Sequence, residues 1–384
     1  MKISDVRTTV VTVPFTRPEV WARGARPCVT SMVLELETDD GLVGLGECGG
    51  GPHAAQAVQR LSRYLLGADP FDLIERLRLR FMGSSMTTFY AIETALLDLQ
   101  GKASRQPVYK LLGGAVHRQV PYMYYLLRDT PEVMAQEAAQ AIKSGFDTIF
   151  IKVGIDIEED LTVIRAVREA IGPKPKFRID PNESWSVGTA ARLFRMIEPY
   201  DIELSEDPIP VRDVAGLRKL RASTSIPLAA QENVQTLADI LTVIQEGVAD
   251  IILIDPRNGG LTGMRRAAAI AEAAGLPVYV HSGGDLGIAT AALTHMLATV
   301  PNNILASQTY YQFLGGDIVR EKVDCFEKGC LSPSELPGLG VTLDPDKLAH
   351  FHEVYVRGEI VDGSYRRDDP RQEVDEGNLY YPKF

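Results

Sequence analysis

The chain has 384 residues, of which 45% are hydrophobic and 24% are charged, and its net charge is -11. This length exceeds one ordinary hydrophobic core and fits two domains, one of which has room for a barrel of about 250 residues. The acidic balance disfavours nucleic acid and anionic membrane surfaces as partners. A small anionic substrate stays open, because a local metal ion or lysine can outweigh the global charge.

The cysteines and the apolar runs point to a cytoplasmic protein. Cys28, Cys48, Cys325 and Cys330 are few and scattered, so we expect neither a disulfide framework nor a zinc site. Charged residues interrupt the apolar stretch at the start of the chain, which is unlike a signal peptide. No run approaches the roughly 18 uncharged apolar residues of a membrane-spanning helix, so we expect none.

The first part of the chain predicts a strand meander followed by helices. Three strands are expected, at 2–14, 29–38 and 42–47. The polar stretch 16–27 between the first two is predicted to be a loop, and Asp39-Asp40-Gly41 is a hairpin signal between the last two. Apolar residues at a spacing of three and four predict helices over 54–66, 72–80 and 88–104. This is an α+β layout.

From residue 119 onward, strand and helix patterns alternate. Eight short apolar strands are predicted, the first at 120–127 and the last ending at Gln308. Seven helices lie between them, at 131–144, 157–171, 188–199, 213–223, 236–247, 261–274 and 287–299. After Gln308 the chain becomes irregular, and we expect no further helix of similar quality. Strands joined by helices in this way predict a parallel sheet that can close into a barrel.

A polar side chain ends each strand of this series after the first. These residues follow one another at intervals of 23 to 28 positions and are Lys152, Asp180, Glu206, Glu232, Asp255, His281 and Gln308. Because the carboxyl ends of parallel barrel strands lie on one face, these side chains should converge on one pocket.

Three of them, Asp180, Glu206 and Glu232, are carboxylates on consecutive strands. Brought together without a countercharge, they would repel one another and their pKa values would rise. A hard divalent cation removes that conflict, and three carboxylate oxygens leave about three octahedral positions for water and substrate, which suits Mg²⁺. The alternative is that each one is a helix N-cap or a salt-bridge partner. Their common register predicts one Mg²⁺ per subunit.

The remaining ends carry groups that can move a proton. Lys152 either extends along the surface or points its ammonium into the mouth of the barrel, the opening at the carboxyl ends of the strands. There a dication would lower its pKa. A hydrogen bond from Asp255 would fix the tautomer of His281, although a core histidine bonded to a backbone carbonyl is the alternative. Such a set suits removal of a proton α to a carboxylate, since the enediolate that results needs strong charge stabilisation.

Several segments resemble the enolase superfamily, within its mandelate racemase/muconate lactonizing enzyme group. The similar segments are 91–114, 145–154, 178–185, 204–210, 226–234, 258–263 and 336–344. The resemblance implies a (β/α)7β modified TIM barrel over 118–339. It also implies an α+β capping domain, a three-stranded meander plus helices over 1–117, which the segment from about 340 to 384 joins. It further implies Mg²⁺ on the three carboxylates, with Lys152 facing a His281–Asp255 dyad.

Some positions depart from the usual pattern of that family. Phe150 and Gln231 replace a common lysine and a common aspartate, whereas the segments around Asp255 and His281 resemble glucarate dehydratases. We therefore expect dehydration of an acid sugar to a 2-keto-3-deoxy acid. A racemase or epimerase comes next and a cycloisomerase third; a barrel that binds metal and small acids without turnover is the alternative of another class.

The substrate is expected to be a small carboxylate, and the enzyme a homo-oligomer. Gln308 can donate to the substrate carboxylate, while Asn182 and Asp285 follow strand ends and are further candidate contacts. The specificity loops of the family correspond to 16–27 and 48–53, which makes Trp21, Arg23 and His53 candidates as well. The alternative for these last three is that they are ordinary exposed loop residues.

Overall fold

The computed structural model describes residues 1–81, 85–323 and 326–360. The chain begins with an antiparallel sheet in the order β1-β2-β3. Its strands are β1 (Ile3–Trp21), β2 (Gly24–Thr38) and β3 (Val43–Gly49). The predicted meander is confirmed, including the turn between β2 and β3.

The prediction of a loop over 16–27 is wrong, because β1 and β2 continue through it as a hairpin. Trp21 pairs with Gly24, and only Ala22 and Arg23 form the turn. Two prolines in this stretch, Pro18 and Pro27, obscured the strands in the sequence. The register shift between Pro14 and Glu19 contains Pro18, which has no N–H to give to a ladder.

Helices cover one face of this sheet, and two glycines set how closely they approach. The helices are α1 (Gly51–Leu65), α2 (Ile74–Phe81), α3 (Met86–Ser104) and α4 (Val108–Leu111). A Cβ added at Gly44 or Gly46 of β3 would lie 2.2 or 2.0 Å from a carbonyl oxygen of α3. These glycines therefore let α3 lie directly on the strand, which buries nearly the whole middle of that helix.

The second part is a parallel sheet of seven strands in the order β11-β10-β9-β8-β7-β6-β5. The strands are β5 (Tyr124–Leu126), β6 (Thr148–Lys152), β7 (Lys176–Asp180), β8 (Leu204–Glu206), β9 (Leu228–Ala230), β10 (Ile251–Ile254) and β11 (Val278–Val280). A short antiparallel pair, β4 (Val120–Pro121) with β12 (Cys330–Leu331), lies beside it.

The predicted eighth strand is reduced to a short bridging segment that joins the two edges of this sheet. The amide of Gln308 donates to Val280 O at 2.9 Å, and Ser307 exchanges hydrogen bonds with Pro121 and Met123 on the other side. The segment therefore closes the sheet into the modified TIM barrel that the sequence predicts.

All seven predicted barrel helices are confirmed to within a few residues. They are α5 (Pro131–Lys143), α6 (Ile157–Ile171), α7 (Val187–Ile197), α8 (Val214–Arg221), α9 (Leu237–Glu246), α10 (Gly260–Ala273) and α11 (Gly287–Leu297). Side-chain N-caps start five of them, which satisfies amides that lack an intrahelical partner. None of the helices in the described ranges is long and apolar enough to cross a membrane.

The expectation of no helix after Gln308 is wrong. Helix α12 (Pro345–Arg357) starts at the N-cap Asp344, whose carboxylate accepts from two backbone amides, and it ends at Gly358 with φ 62°. It packs on β1, where His352 Nδ1 lies 2.7 Å from Val10 O. This part of the C-terminal segment thus joins the capping sheet rather than the barrel.

The exact domain boundaries stay predictions, and Cys325 and the segment 361–384 lie outside the described residues.

Asp98 ties the capping helix α3 to the C-terminal segment. Its buried carboxylate accepts from the amides of Leu45 (2.9 Å) and Leu339 (2.8 Å) and from Lys102 Nζ (2.7 Å). We predict that Asp98→Ala lowers the free energy of unfolding by roughly 2 to 4 kcal/mol, because each buried donor left unsatisfied costs about 1–3 kcal/mol. Urea denaturation measures this.

The matched control is Glu353→Ala, which removes an exposed ion pair with Arg357 and should change stability by less than about 1 kcal/mol. Equal stability of Asp98→Ala and the parent protein would contradict the assignment of Asp98 as a tie.

Candidate active site

The parallel register places the predicted side chains at one end of the barrel. Lys152, Asp180 and Glu206 are the last residues of β6, β7 and β8. Asp255 and His281 follow β10 and β11 directly. Lys152 and Asp180 are register partners on neighbouring strands, so the backbone itself brings the ammonium and the carboxylate together.

A short ion pair joins these two residues. Lys152 Nζ lies 2.5 Å from Asp180 Oδ2, and the two residues are 6% and 0% exposed. Asn182 also holds this carboxylate, through its amide N (2.7 Å) and its Nδ2 (3.0 Å). Asn182 adopts a left-handed φ of 48°, which turns the chain back so that both of its nitrogens face Asp180. Asn182 therefore positions a predicted metal ligand.

Glu206 is a second buried carboxylate beside this pair. It accepts a hydrogen bond from Tyr279 Oη at 2.8 Å. Burial, and then the charge of Asp180, raise its pKa well above the usual range. The two carboxylates thus lie within electrostatic reach of one another, where a further positive charge would be stabilising.

Asp207, which the sequence reasoning passed over, holds the segment that carries the third carboxylate. Its own carboxylate accepts from the amides of Gln231 (3.2 Å) and Glu232 (2.9 Å). Its position directly after the predicted ligand Glu206 was the signal in the sequence that could have identified it. Asp207 therefore fixes the backbone of Glu232 relative to β8.

Glu232 itself points toward solvent and Arg257. Its Oε2 accepts from Arg257 Nη1 at 3.0 Å, and its side chain is 37% exposed. Accordingly, no three His, Cys, Asp or Glu side chains among the described residues have their donor atoms gathered for one ion. The donor types nevertheless fit Mg²⁺, since all three are carboxylates and two of them, Asp180 and Glu206, are buried at this end of the barrel. The set of three ligands therefore stays a prediction.

The predicted hydrogen bond between Asp255 and His281 is absent among the described residues. Asp255 instead accepts from the amide of Arg257 (2.7 Å), from its Nε (2.8 Å) and from its Nη2 (2.5 Å). A bidentate guanidinium is a stronger partner for a carboxylate than a neutral imidazole, which explains why Asp255 binds Arg257 and not His281. Arg257 was missed, although an arginine two residues after a strand end was visible in the sequence.

His281 remains part of the site without this partner. Burial, followed by the positive charges of Lys152, Arg257 and Arg26, lowers its pKa well below the usual value. The lowering of the Lys152 pKa that a dication would cause stays a prediction. Among the described residues alone, although burial opposes it, Asp180 and further acidic neighbours raise the pKa of Lys152 above the usual value. At neutral pH the mouth therefore holds a neutral imidazole and an ammonium.

Gln308 lies at the closing segment of the barrel. Its Oε1 accepts from the amide of Ser282 at 3.2 Å, and this bond orients the side chain. Its Nε2 is buried and has no partner among the described residues. A buried donor of this kind is suited to an acceptor atom of a ligand.

The β1–β2 hairpin of the capping domain covers the mouth and is held there by buried polar contacts. Glu19, 3% exposed, accepts at 2.6 Å from each of Tyr125 Oη, Tyr310 Oη and Arg26 Nε. At the tip, Arg23 donates to Asn182 O at 3.1 Å and pairs with Glu183. The guanidinium of Arg23 therefore binds the barrel loop at Asn182 and Glu183, and it does not line the cavity between the cap and the barrel. Glu19 was not predicted from the sequence as a residue of this site.

A cavity of ≈ 220 Å³ lies between the cap and the ends of β9, β10 and β11. Its wall contains Cys48 and Tyr90 from the cap, and Glu232, Asp255, Arg257, His281 and Asp285 from the barrel. Of the other predicted contacts, His53 lines a different groove beside the end of α12. A larger cavity of ≈ 330 Å³ lies before β9, at the opposite end of the barrel, and contains none of the predicted residues.

Two family models match the chain. The one described as enolase C-terminal domain-like matches residues 133–347, and the mandelate racemase / muconate lactonizing enzyme N-terminal domain matches 4–113. These matches agree with the observed combination of capping sheet and barrel.

Known proteins resemble the chain over most of its length. A hydrophobic dipeptide epimerase from Enterococcus faecalis is 30% identical, over 89% of this chain and 100% of the relative. A probable glucarate dehydratase from Streptomyces coelicolor is 30% identical, over 90% of this chain and 89% of the relative. An enolase from Pseudomonas fluorescens Pf0-1, solved with magnesium, potassium and tartrate, is 28% identical with a TM-score of 0.90; the match covers 100% of this chain and 99% of that one.

Replacement of a predicted ligand tests the metal assignment. We expect Glu206→Gln to weaken Mg²⁺ binding about tenfold or more, because affinity follows the number of anionic ligands. Isothermal titration with MgCl2 measures it. Glu169→Gln, on the exposed face of α6, is the matched control. Unchanged Mg²⁺ affinity in Glu206→Gln would exclude this residue as a ligand.

Proposed function

The chain belongs to the mandelate racemase/muconate lactonizing enzyme family of the enolase superfamily, and we propose that it dehydrates an acid sugar to a 2-keto-3-deoxy acid. The observation that carries the proposal is the position of the His281 imidazole at the cavity wall, together with the buried ammonium of Lys152 at the same end of the barrel. A base and a cation so placed suit removal of the proton α to a carboxylate.

His281 is the general base. Desolvation and the nearby charges of Lys152, Arg257 and Arg26 lower its pKa and favour the neutral imidazole, and the half-buried side chain faces the cavity in which a substrate would lie. It takes the α-proton, and the electrons of the C–H bond pass into the substrate carboxylate. The resulting imidazolium then gives this proton to the β-hydroxyl. The electrons of the enediolate return to form a double bond between the α- and β-carbons as the C–O bond breaks, and water leaves. The enol that remains tautomerises to the 2-keto acid.

The rest of the mouth stabilises the negative charge that develops on the substrate. Bound by Asp180, Glu206 and Glu232, Mg²⁺ would supply positive charge against the substrate carboxylate. The unpartnered Nε2 of Gln308 is a donor for one of its oxygens. Lys152 keeps a second cation at the same end of the barrel. The hairpin held by Glu19 keeps water away from these groups, which strengthens their effect.

Two relatives support this assignment at different levels. The Streptomyces coelicolor protein bears the name of a probable dehydratase of an acid sugar. The Pseudomonas fluorescens enolase was solved with magnesium and tartrate, a small hydroxylated dicarboxylate as glucarate is, so these relatives bear on the hydroxy-acid class and not on the number of carboxylates that this chain accepts. A magnesium-dependent reaction of a hydroxy acid is therefore consistent with both.

Epimerisation or racemisation is the second candidate, because a second acid is available. Lys152 is held as an ammonium, and it could return a proton to the face opposite His281. The Enterococcus faecalis relative bears the name of an epimerase. The two candidates differ in product: dehydration releases a 2-keto acid, whereas epimerisation returns a stereoisomer of the substrate.

The test is a screen of acid sugars with Mg²⁺, followed by a variant of the base. We expect a 2-keto product, detected as its semicarbazone, and a loss in kcat of about 10²–10⁴-fold in His281→Asn, the usual contribution of a general base. Exchange of the α-proton in D2O should fall with it, while Mg²⁺ affinity stays the same. His350→Asn, exposed on α12, is the matched control.

A stereoisomer without 2-keto product would favour the epimerase alternative. Neither product nor α-proton exchange in the parent enzyme, across the whole panel, would reject the proposed dehydration.

A further inference from the structure

We infer that the cavity selects substrates whose end remote from the α-carbon carries hydrogen-bond donors, and that it disfavours a second carboxylate there. The inference rests on the proposed function, since it concerns the substrate of the same site. It narrows the substrate class to a single-acid chain that ends in hydroxyl or ammonium groups.

The cavity lies to one side of the reacting groups. Lys152, Asp180 and Glu206 are buried and do not form its wall, whereas His281 does. The open volume therefore extends from His281 toward the cap, where Tyr90 and Cys48 form the far wall. A substrate whose α-carbon lies at His281 must place the rest of its chain in this volume.

Acidic side chains dominate the wall of that volume. Three carboxylates, Glu232, Asp255 and Asp285, face one guanidinium, that of Arg257. Arg257 is already bound to Asp255 through Nε and Nη2, and to Glu232 through Nη1. When Glu232 turns to Mg²⁺, Asp255 still offsets the charge of Arg257 through these two bonds, and Asp285 is left as the net negative charge of the wall.

Asp285 is the carboxylate left without a cationic partner in the wall. Ser282 Oγ donates to its Oδ2 at 2.6 Å, and the amide of Asp285 itself also interacts with the carboxylate. No side chain of another described residue donates to its Oδ1. Asp255 adds negative charge from the wall. Arg26 on β2 acts on Asp285 through space, but its side chain is bound to Glu19 and to Gly283 O. The free acceptor in the cavity is therefore an aspartate oxygen.

The chemistry of this wall decides between ligand groups. A hydroxyl or an ammonium can donate to Asp285 Oδ1, whereas a carboxylate there meets a like charge in a partly enclosed space where Coulomb interactions are weakly screened. The hydroxyl groups of an aldonic acid and the free amino group of a dipeptide can both donate a hydrogen bond to Asp285. The corresponding sugar diacid carries a carboxylate at the end remote from the α-carbon and has no donor there.

Matched ligand pairs test the inference directly. Isothermal titration with Mg²⁺ present would compare gluconate with glucarate and xylonate with xylarate, and would include a dipeptide with a free amino terminus. We expect the monoacid of each pair, or the dipeptide, to bind at least about tenfold more tightly than the diacids. Whichever of them binds best identifies the donor as hydroxyl or ammonium.

Two variants assign the preference to Asp285. Asp285→Asn should reduce the ratio between monoacid and diacid to about threefold or less, because the amide no longer repels an anion. Ser282→Ala is the matched control, since it removes the hydrogen bond to Asp285 but keeps the carboxylate, and its ratio should stay near that of the parent.

Equal or tighter binding of the diacids by the parent protein would overturn the inference, whatever the variants do. An unchanged ratio in a folded Asp285→Asn protein would overturn the role of Asp285. The proposed dehydration fails by a different measurement: if the selective ligands bind but no 2-keto product forms, the reaction is rejected and the selectivity stands.

Discussion

The arrangement of the barrel mouth depends on how buried carboxylates find ion-pair or hydrogen-bond partners in a place that the cap largely shields from water. Asp180, Glu206, Asp207 and Glu19 are all almost fully buried at this end of the molecule. An unpaired charge in such a place costs several kcal/mol, so each has its own partners. These partners are an ammonium for Asp180, a tyrosine hydroxyl for Glu206, backbone amides for Asp207, and an arginine with two tyrosines for Glu19.

This network couples the two parts of the fold. The carboxylate of Glu19 lies on the capping hairpin, whereas its two tyrosine donors belong to the barrel. A second buried acid, Glu47 on β3, accepts from the amides of Leu286 and Ala289 at the start of α11, and burial raises its pKa to about 8. The cap is therefore held over the barrel mouth by specific polar contacts as well as by apolar packing. Such a cover keeps the polar groups of the site in fixed orientations, which is what electrostatic stabilisation of a transition state requires.

Arg257 changes how the proton-transfer groups are organised. Its guanidinium takes the carboxylate of Asp255, and His281 is left as a neutral imidazole whose surroundings are cationic. It also holds Glu232 by an ion pair of 3.0 Å. One arginine thus controls the direction of two of the predicted functional carboxylates, and a change in its contacts would alter both the predicted metal site and the base.

The sequence by itself determined the architecture and the identities of the groups at the mouth. The apolar strands and their spacing were sufficient because side chains at the ends of parallel strands must share one face. Tertiary structure decided which of those groups pair. Asp255 and His281 end adjacent strands, yet a nearer arginine with better geometry binds the carboxylate. Prolines within 16–27 made this hairpin look like a loop in the sequence. Its pairing depends on contacts between β1 and β2 and on the contact of its tip with the barrel. Strand ends follow from a periodic pattern along the chain, whereas charge pairing depends on distances between segments far apart in sequence, and only the folded chain sets those distances.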